Sequence, residues 1–189
     1  MEIKTIAVIG AGLVGRGIAY AAASSGHETV LEDISSRLLA EAVAWIRRSF
    51  EEEVASGKVE PCARDKALSL TTTAGDVKDA IRDAELIIET VPDELEMKLE
   101  LFTIFDKFAK SGAIFASTAT SLSITDFTDI VVSRERCIGM HFFEPLLRTK
   151  QMELVRTAYT SEETVAACRE VARRMGKEVA VVNEEPQTV

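Results

Sequence analysis

Near the start of the chain an apolar run, Ile6-Ala7-Val8-Ile9, breaks directly into Gly10-Ala11-Gly12-Leu13-Val14-Gly15. No other feature restricts the fold as much. The apolar residues are consecutive rather than alternating, which predicts a strand buried on both faces, as in a parallel sheet. The glycines predict a tight turn into a helix. Gly10 permits the turn, Gly12 leaves room for a close approach to the backbone, and Gly15 lets the helix lie against the sheet. A helix beginning there offers unpaired N–H groups and the positive end of its dipole to an anion such as a pyrophosphate. A lone GxGxxG is a weak signal; its place between a strand and a helix at the head of the chain gives it weight.

The next predicted strand, Glu28–Glu32, runs straight into Asp33, 18 residues after Gly15. An acid at about that distance is positioned for a ribose 2′-hydroxyl. It accepts hydrogen bonds from a diol and repels a 2′-phosphate, which favours NAD over NADP. FAD uses the same fingerprint, and these residues alone leave it open, as they do a glycine turn with no ligand. Arg37, just past Asp33, offers a partner to a 2′-phosphate; the plainer reading is a surface arginine in a helix's first turn.

The remainder repeats the alternation. Strands are predicted at Thr5–Ile9, Leu68–Thr72, Leu86–Glu89, Ala113–Ala116, Cys137–His141, Glu153–Thr157 and Glu178–Val182. Helices are predicted at Leu13–Ser25, Ser36–Ser56, Leu95–Lys110, Ile124–Val132 and Glu162–Met175. Leu95, Leu99, Phe102 and Phe105 share one helical face. Gly26, Gly57, Gly112 and Gly176 each follow a helix closely, as C-caps do. The pattern predicts an α/β fold with a doubly wound, mostly parallel, Rossmann-type sheet. No linker divides residues 1–189, which read as one domain.

With a net charge of −9, the chain lacks the basic balance expected of a nucleic-acid binder. No stretch of about 18 apolar residues is present to span a membrane, and the N-terminus lacks the features of a signal peptide. Cys62, Cys137 and Cys168 show no CxxC spacing and are odd in number, so neither a disulfide framework nor a metal site is expected. A reducing, cytoplasmic compartment follows. The run Glu51-Glu52-Glu53 reads as a solvated helix face.

There are two histidines. His27, between a helix and a strand, reads as a loop residue. His141 ends a predicted strand, where chemistry in open α/β sheets gathers. Removing a hydroxyl proton during hydride transfer needs a base with a pKa near neutrality, which suits histidine. Glu153, at the head of the following strand, is a candidate to orient the ring. Ser117-Thr118-Ala119-Thr120-Ser121 follows another strand; its hydroxyls suit a substrate oxygen, the bland alternative being helix N-capping. Ser123 is the natural cap for the helix at Ile124, which frees Thr120 and Ser121.

Taken in order, the residues GAGxxGxGIA, VLxD, IIExVxxxxxxK, FASxxxSLSIT, GxHFFxP and ELV resemble the L-3-hydroxyacyl-CoA dehydrogenase family over the whole chain. The resemblance implies NAD as cofactor, a small-molecule substrate that is an acyl-CoA, and interconversion of 3-hydroxyacyl-CoA and 3-oxoacyl-CoA in fatty acid metabolism. It places the catalytic histidine on His141, its glutamate twelve positions later on Glu153, and the substrate-contacting serine on Thr120. The cofactor-side lysine falls on Lys98, and a nearby family glutamate becomes Asp93. It also implies a helical C-terminal domain beyond Val189 that closes the cleft and forms a homodimer, so that residues 1–189 alone bind NAD and turn over poorly.

Three departures stand out. Glu144 replaces the asparagine of the family's HFFNP, putting an acceptor-only carboxylate where an amide can donate. It could be protonated, turned away, or paired with Arg148 or Lys150. The asparagine of the family's SNTSS loop is also lost. The family's PGFxxNR-like motif meets only Pro186-Gln187-Thr188 here. Two other readings stay open: a dehydrogenase of the same superfamily acting on a CoA-free hydroxy acid or alcohol, and an NAD-binding module without catalysis.

Overall fold

A computed structural model describes residues 2–184. They form strands β1 (Thr5–Ile9), β2 (Glu28–Glu32), β3 (Thr71–Ala74), β4 (Leu86–Glu89), β5 (Ile114–Ser117), β6 (Cys137–Phe142), β7 (Gln151–Arg156) and β8 (Glu178–Asn183). The helices are α1 (Leu13–Ser24), α2 (Ser36–Ala55), α3 (Pro61–Ser69), α4 (Val77–Ile81), α5 (Leu95–Phe108), α6 (Ile124–Thr128) and α7 (Glu162–Arg174). One sheet holds the strands in the order β3-β2-β1-β4-β5-β6-β7-β8. Every neighbouring pair is parallel except β6–β7. This is the doubly wound α/β architecture expected. Its order turns about β1 and β4, the kind of switch point where such sheets bind ligands.

Successive residues of β1 feed opposite layers, as a strand covered on both faces must. Ile6 and Val8 join a core with Ile18 and Ala22 of α1, Phe50 of α2, and Cys168 and Val171 of α7. Ala7 and Ile9 join another with Ile81, Phe102, Phe105, Phe115 and Phe127. The Phe102 ring sits 4.9 Å from Phe127 and 5.2 Å from Phe105, centroid to centroid. The buried face of α5 is Lys98, Leu101, Phe102 and Phe105. Of the expected stripe, Phe102 and Phe105 are buried and Leu99 packs half-buried against the same core, while Leu95 lies at the surface.

Gly26, Gly57 and Gly176 directly follow the C-caps of α1, α2 and α7 with φ between 72° and 86°, the left-handed conformation expected there; Gly112 (φ 87°) instead sits in the turn closed by Ala113 N to Lys110 O, past the end of α5. Two helices have no counterpart in the predicted elements. Pro61 occupies the first turn of α3, and the Asp76 carboxylate caps α4 by accepting from Lys78 and Asp79 N–H. Both are too short for apolar periodicity to register. The strand expected from Leu68 therefore starts only at Thr71, and α6 stops at Thr128 rather than Val132. The Glu51–Glu53 run is not wholly solvated, since Tyr20 Oη donates to Glu53 Oε2 at 2.5 Å. His27 lies in its expected turn but is fully buried, and burial followed by the Arg174 charge lowers its pKa. No helix among the described residues is long and apolar enough to cross a membrane, and no group of histidine, cysteine and acidic residues there could hold a metal ion.

Candidate active site

The glycine turn is built by close packing. Gly10 has φ +104°, and its N–H donates to Glu32 O at 2.8 Å. Thr90 Oγ1 reaches Ile9 O at 2.9 Å and Gly10 O at 3.0 Å. A Cβ on Gly15 would stand 1.8 Å from Gly10 O, so α1 reaches the turn only because that atom is missing. A Cβ on Gly12 would meet nothing within 4 Å. Gly12 thus serves no packing need of the fold; it opens space at the N-terminus of α1, where an anion would lie. Asp33 binds this turn as well as facing the cleft. Its Oδ2 accepts from Ala11 N at 2.9 Å and its Oδ1 from Ser35 N at 2.8 Å. Arg37 pairs with Glu41 at 2.6 Å on the exposed face of α2, as the plainer reading expects.

Asp93 and Lys98 meet in one ion-pair chain that runs from the core. Lys98 is fully buried, and its Nζ lies 2.9 and 2.8 Å from the two oxygens of Glu89, equally buried. It also reaches Asp93 Oδ1 at 3.2 Å and Val91 O at 3.4 Å. An ammonium has three protons, so nothing is left for a ligand, and the expected contact to the cofactor is corrected on this ground. Glu89 accepts further from Ser117 Oγ at 2.6 Å and Val91 N at 2.7 Å. Asp93 Oδ2 then accepts from Thr120 N at 3.0 Å and Ser121 N at 2.9 Å. Burial acts to raise the Asp93 carboxyl, but the hydrogen bonds from Ser121, Thr120 and Lys98 outweigh it and hold the pKa below the usual range. The result is a chain of charge from the core to the hydroxyl loop. Glu89, the hub, carries no spacing signal in the sequence, where it is only a glutamate ending an apolar strand.

His141 and Glu153 are direct partners across the antiparallel β6–β7 pair. His141 Nδ1 lies 3.9 Å from Glu153 Oε2, too far for a hydrogen bond. Its Nε2 lies 2.6 Å from Ala119 O. Both residues line a cleft of about 480 Å³ with Thr120, Ser121, Ser123 and Glu184. Thr120 and Ser121 hold exposed side chains there.

Ser123 is the N-cap of α6, but its hydroxyl does not do the capping. The Glu184 carboxylate does, accepting from Ile124 N, Thr125 Oγ1, Thr125 N at 3.2 Å and Ser123 Oγ at 2.8 Å. The end of β8 is thereby tied to the hydroxyl loop. No local sequence pattern joins Glu184 to Ser123, 61 positions away.

Glu144 is exposed, and its Oε2 accepts from Leu146 N at 3.0 Å. Among the described residues no ion pair joins it to Arg148 or Lys150. The charge acting with it is Lys177, whose Nζ donates to Leu146 O and Thr149 O; burial lowers the Lys177 pKa and Glu144 partly offsets this. Glu144 does not line the His141 cleft. Pro186, Gln187 and Thr188 lie outside the described residues.

A glycine turn feeding a helix N-terminus at the switch point of a parallel sheet, with an acid after the second strand, defines a Rossmann-type dinucleotide-binding domain. More narrowly, residues 5–185 match the family described as 3-hydroxyacyl-CoA dehydrogenase, NAD binding domain, and the chain belongs to it. The family decides for NAD where the glycine fingerprint left FAD open. The chain is 36% identical over 184 residues to a 3-hydroxybutyryl-CoA dehydrogenase of Bradyrhizobium diazoefficiens, covering 97% of this chain and 62% of that protein. It is 34% identical over 189 residues to the mitochondrial hydroxyacyl-coenzyme A dehydrogenase of Sus scrofa, covering 97% and 60%. The crystal structure of a 3-hydroxybutyryl-CoA dehydrogenase from Escherichia coli K12 matches with a TM-score of 0.94 at 31% identity, over 98% of this chain and 39% of that one. The structure of a diketoreductase with dual catalysis of dicarbonyl compounds matches with a TM-score of 0.89 at 26% identity, over 98% and 66%. The chain thus spans about three fifths of the length of the curated relatives it matches.

Proposed function

We propose that this domain works in an enzyme that interconverts L-3-hydroxyacyl-CoA and 3-oxoacyl-CoA, with His141 as acid and base. One observation carries the reading: His141 and Glu153 oppose each other across two strands at a cleft that Thr120 also lines. Gly10, Gly12, Gly15 and Asp33 would hold NAD, which when bound would supply or accept the hydride at substrate C3. In oxidation His141 takes the hydroxyl proton; in reduction it returns one to the carbonyl oxygen. The Nε2 position now facing Ala119 O is where that oxygen would bind. Glu153 steadies the imidazolium as it forms, an apposition that needs only a small closure to become a hydrogen bond. Thr120 Oγ1 holds the reacting oxygen with Ser121 beside it, and Asp93 and Lys98 keep both in place. A cytoplasmic location, and a homodimer formed through a further helical domain, belong to the same proposal.

The test is NADH oxidation with acetoacetyl-CoA in the intact protein, alongside NADH binding. Turnover should fall about 10²–10⁴-fold in His141→Ala with NADH affinity unchanged. Unaltered turnover in that variant would remove His141 from the chemistry. NADH binding without turnover in the wild type would favour a module that binds without catalysis.

A second reading, a CoA-free hydroxy acid or alcohol as substrate, draws on Glu144 standing where the family has asparagine and on the likeness to the diketoreductase. Equal rates with acetoacetyl-CoA and its CoA-free analogue would support it.

A further inference from the structure

A separate cleft of about 380 Å³ opens beside the glycine turn, between the end of β2 and helix α5. Gly10, Asp33 and Ile34 stand on one side and Val91, Met97 and Leu101 on the other. With the pyrophosphate over Gly12, the adenosine half of a dinucleotide falls here.

Glu32 lines this cleft and fits no structural need. It is only 2% exposed, and its Oε1 is fully buried with no hydrogen-bond partner. A buried unpaired carboxylate is costly unless it takes up a proton. The charged groups around it are all acidic: Asp33 beside it, Asp76 at the start of α4 and Glu100 on α5. No lysine, arginine or histidine is among the described residues lining the cleft. Burial first, then Asp33 and Asp76, raise the Glu32 pKa to about 7.

The two neighbouring carboxyls therefore differ. Asp33 receives backbone N–H groups on both oxygens. Glu32 receives none and faces an apolar wall suited to a flat base. A neutral carboxyl presents one O–H donor and one C=O acceptor, whereas a carboxylate only accepts. The Hoogsteen and Watson–Crick edges of adenine each carry an amino donor beside a ring-nitrogen acceptor. We propose that Glu32 binds the adenine of the dinucleotide as a neutral carboxyl, pairing its O–H and C=O with such an edge, and so makes affinity depend on pH. The proposal rests on the NAD reading above. A base seated over Glu32 excludes water and favours the neutral form further, so binding takes up a proton wherever free Glu32 is ionised.

The experiment is calorimetric titration with NADH and with ADP-ribose from about pH 6 to about pH 9, spanning the Glu32 transition. Reduced nicotinamide mononucleotide, which lacks adenosine, serves as control. Wild-type affinity for NADH and ADP-ribose should fall about tenfold or more across that range, since each pH unit above the transition approaches a tenfold loss. The control should show no such slope. Glu32→Gln keeps a donor and an acceptor but cannot ionise. It should bind ADP-ribose with a flat profile and more tightly than wild type at the alkaline end. Glu32→Val should be flat and weaker than Glu32→Gln. A flat wild-type profile, affinity rising with pH, or an unchanged slope in Glu32→Gln would each overturn the proposal. Failure of the wild type to bind NADH or ADP-ribose at any pH would instead overturn the NAD reading, and this proposal with it.

Discussion

The glycine turn and the hydroxyl loop stand at the carboxyl edge of the same sheet, but different forces hold them. The glycine turn is held by contact. Gly15 has no room for one more carbon, and backbone groups, the Thr90 hydroxyl and one carboxylate, Asp33, pin the turn around that contact. The hydroxyl loop is held by charge: Asp93, itself braced by the Glu89–Lys98 pair, grips Thr120 and Ser121, and Glu184 grips Ser123 and the start of α6. A region held by contact fails when an atom is added. One held by charge fails when a partner is removed.

The strongest break of this comparison is a pair of glycine substitutions. Gly15→Ala should cost more than about 4 kcal/mol in denaturant unfolding, because the new methyl meets a backbone carbonyl that cannot withdraw. Gly12→Ala, next to it in space, should change stability by less than about 1 kcal/mol yet weaken NADH binding. Equal effects of the two would mean that Gly12 is structural too. Next, Lys98→Met should destabilise by about 3–5 kcal/mol, since Glu89 would be left charged and buried without its partner. Adding Glu89→Gln should restore part of the loss, and a double-mutant cycle would measure how much.

Two carboxyls, one in each region, give opposite pH signatures. The Glu32 pKa is raised in the folded state, so the stability it contributes is full below the ordinary carboxyl value and lost as pH rises through about 7. Glu32→Gln should therefore gain on wild type above neutrality by about 1–3 kcal/mol. Asp93 is depressed; its contribution is present above the ordinary value and lost as pH falls through the folded one. Asp93→Asn should accordingly lose most against wild type near neutrality and least in acid. Chemical denaturation at several pH values checks both signs. The smallest effect expected is that of Glu184→Ala, about 1 kcal/mol from the lost cap, with KM for acetoacetyl-CoA raised and NADH affinity unchanged. A change in NADH affinity would show that the two regions are not separately held.

Much of this could be read from the residues in a row. The consecutive apolar positions of β1, β4 and β5 announce strands buried on both faces, and the glycines mark where α1, α2 and α7 stop. His141 and Glu153 stood out by their place at strand ends. The short helices α3 and α4 did not, because one turn or two carries too few residues for a period to show. The row of residues shows neither that Lys98 is a buried brace nor that Glu32, the last residue of a strand, is withdrawn from water. Glu184 had a hydroxyl, Ser123, as a plausible local substitute for its role.

The sequence by itself determined the alternation of strand and helix, the glycine turn and the acid that follows the second strand. These depend on backbone conformations and side-chain periods that neighbouring residues set between them. Only the tertiary structure decided which charged residues face a ligand and which hold the fold. That depends on how far each group is withdrawn from water and on which distant group meets it. Asp93 meets a loop 27 residues ahead, and Glu184 meets one 61 residues behind. Such encounters are properties of the packed sheet and its layers, since desolvation and pairing exist only once the chain has closed around the charges.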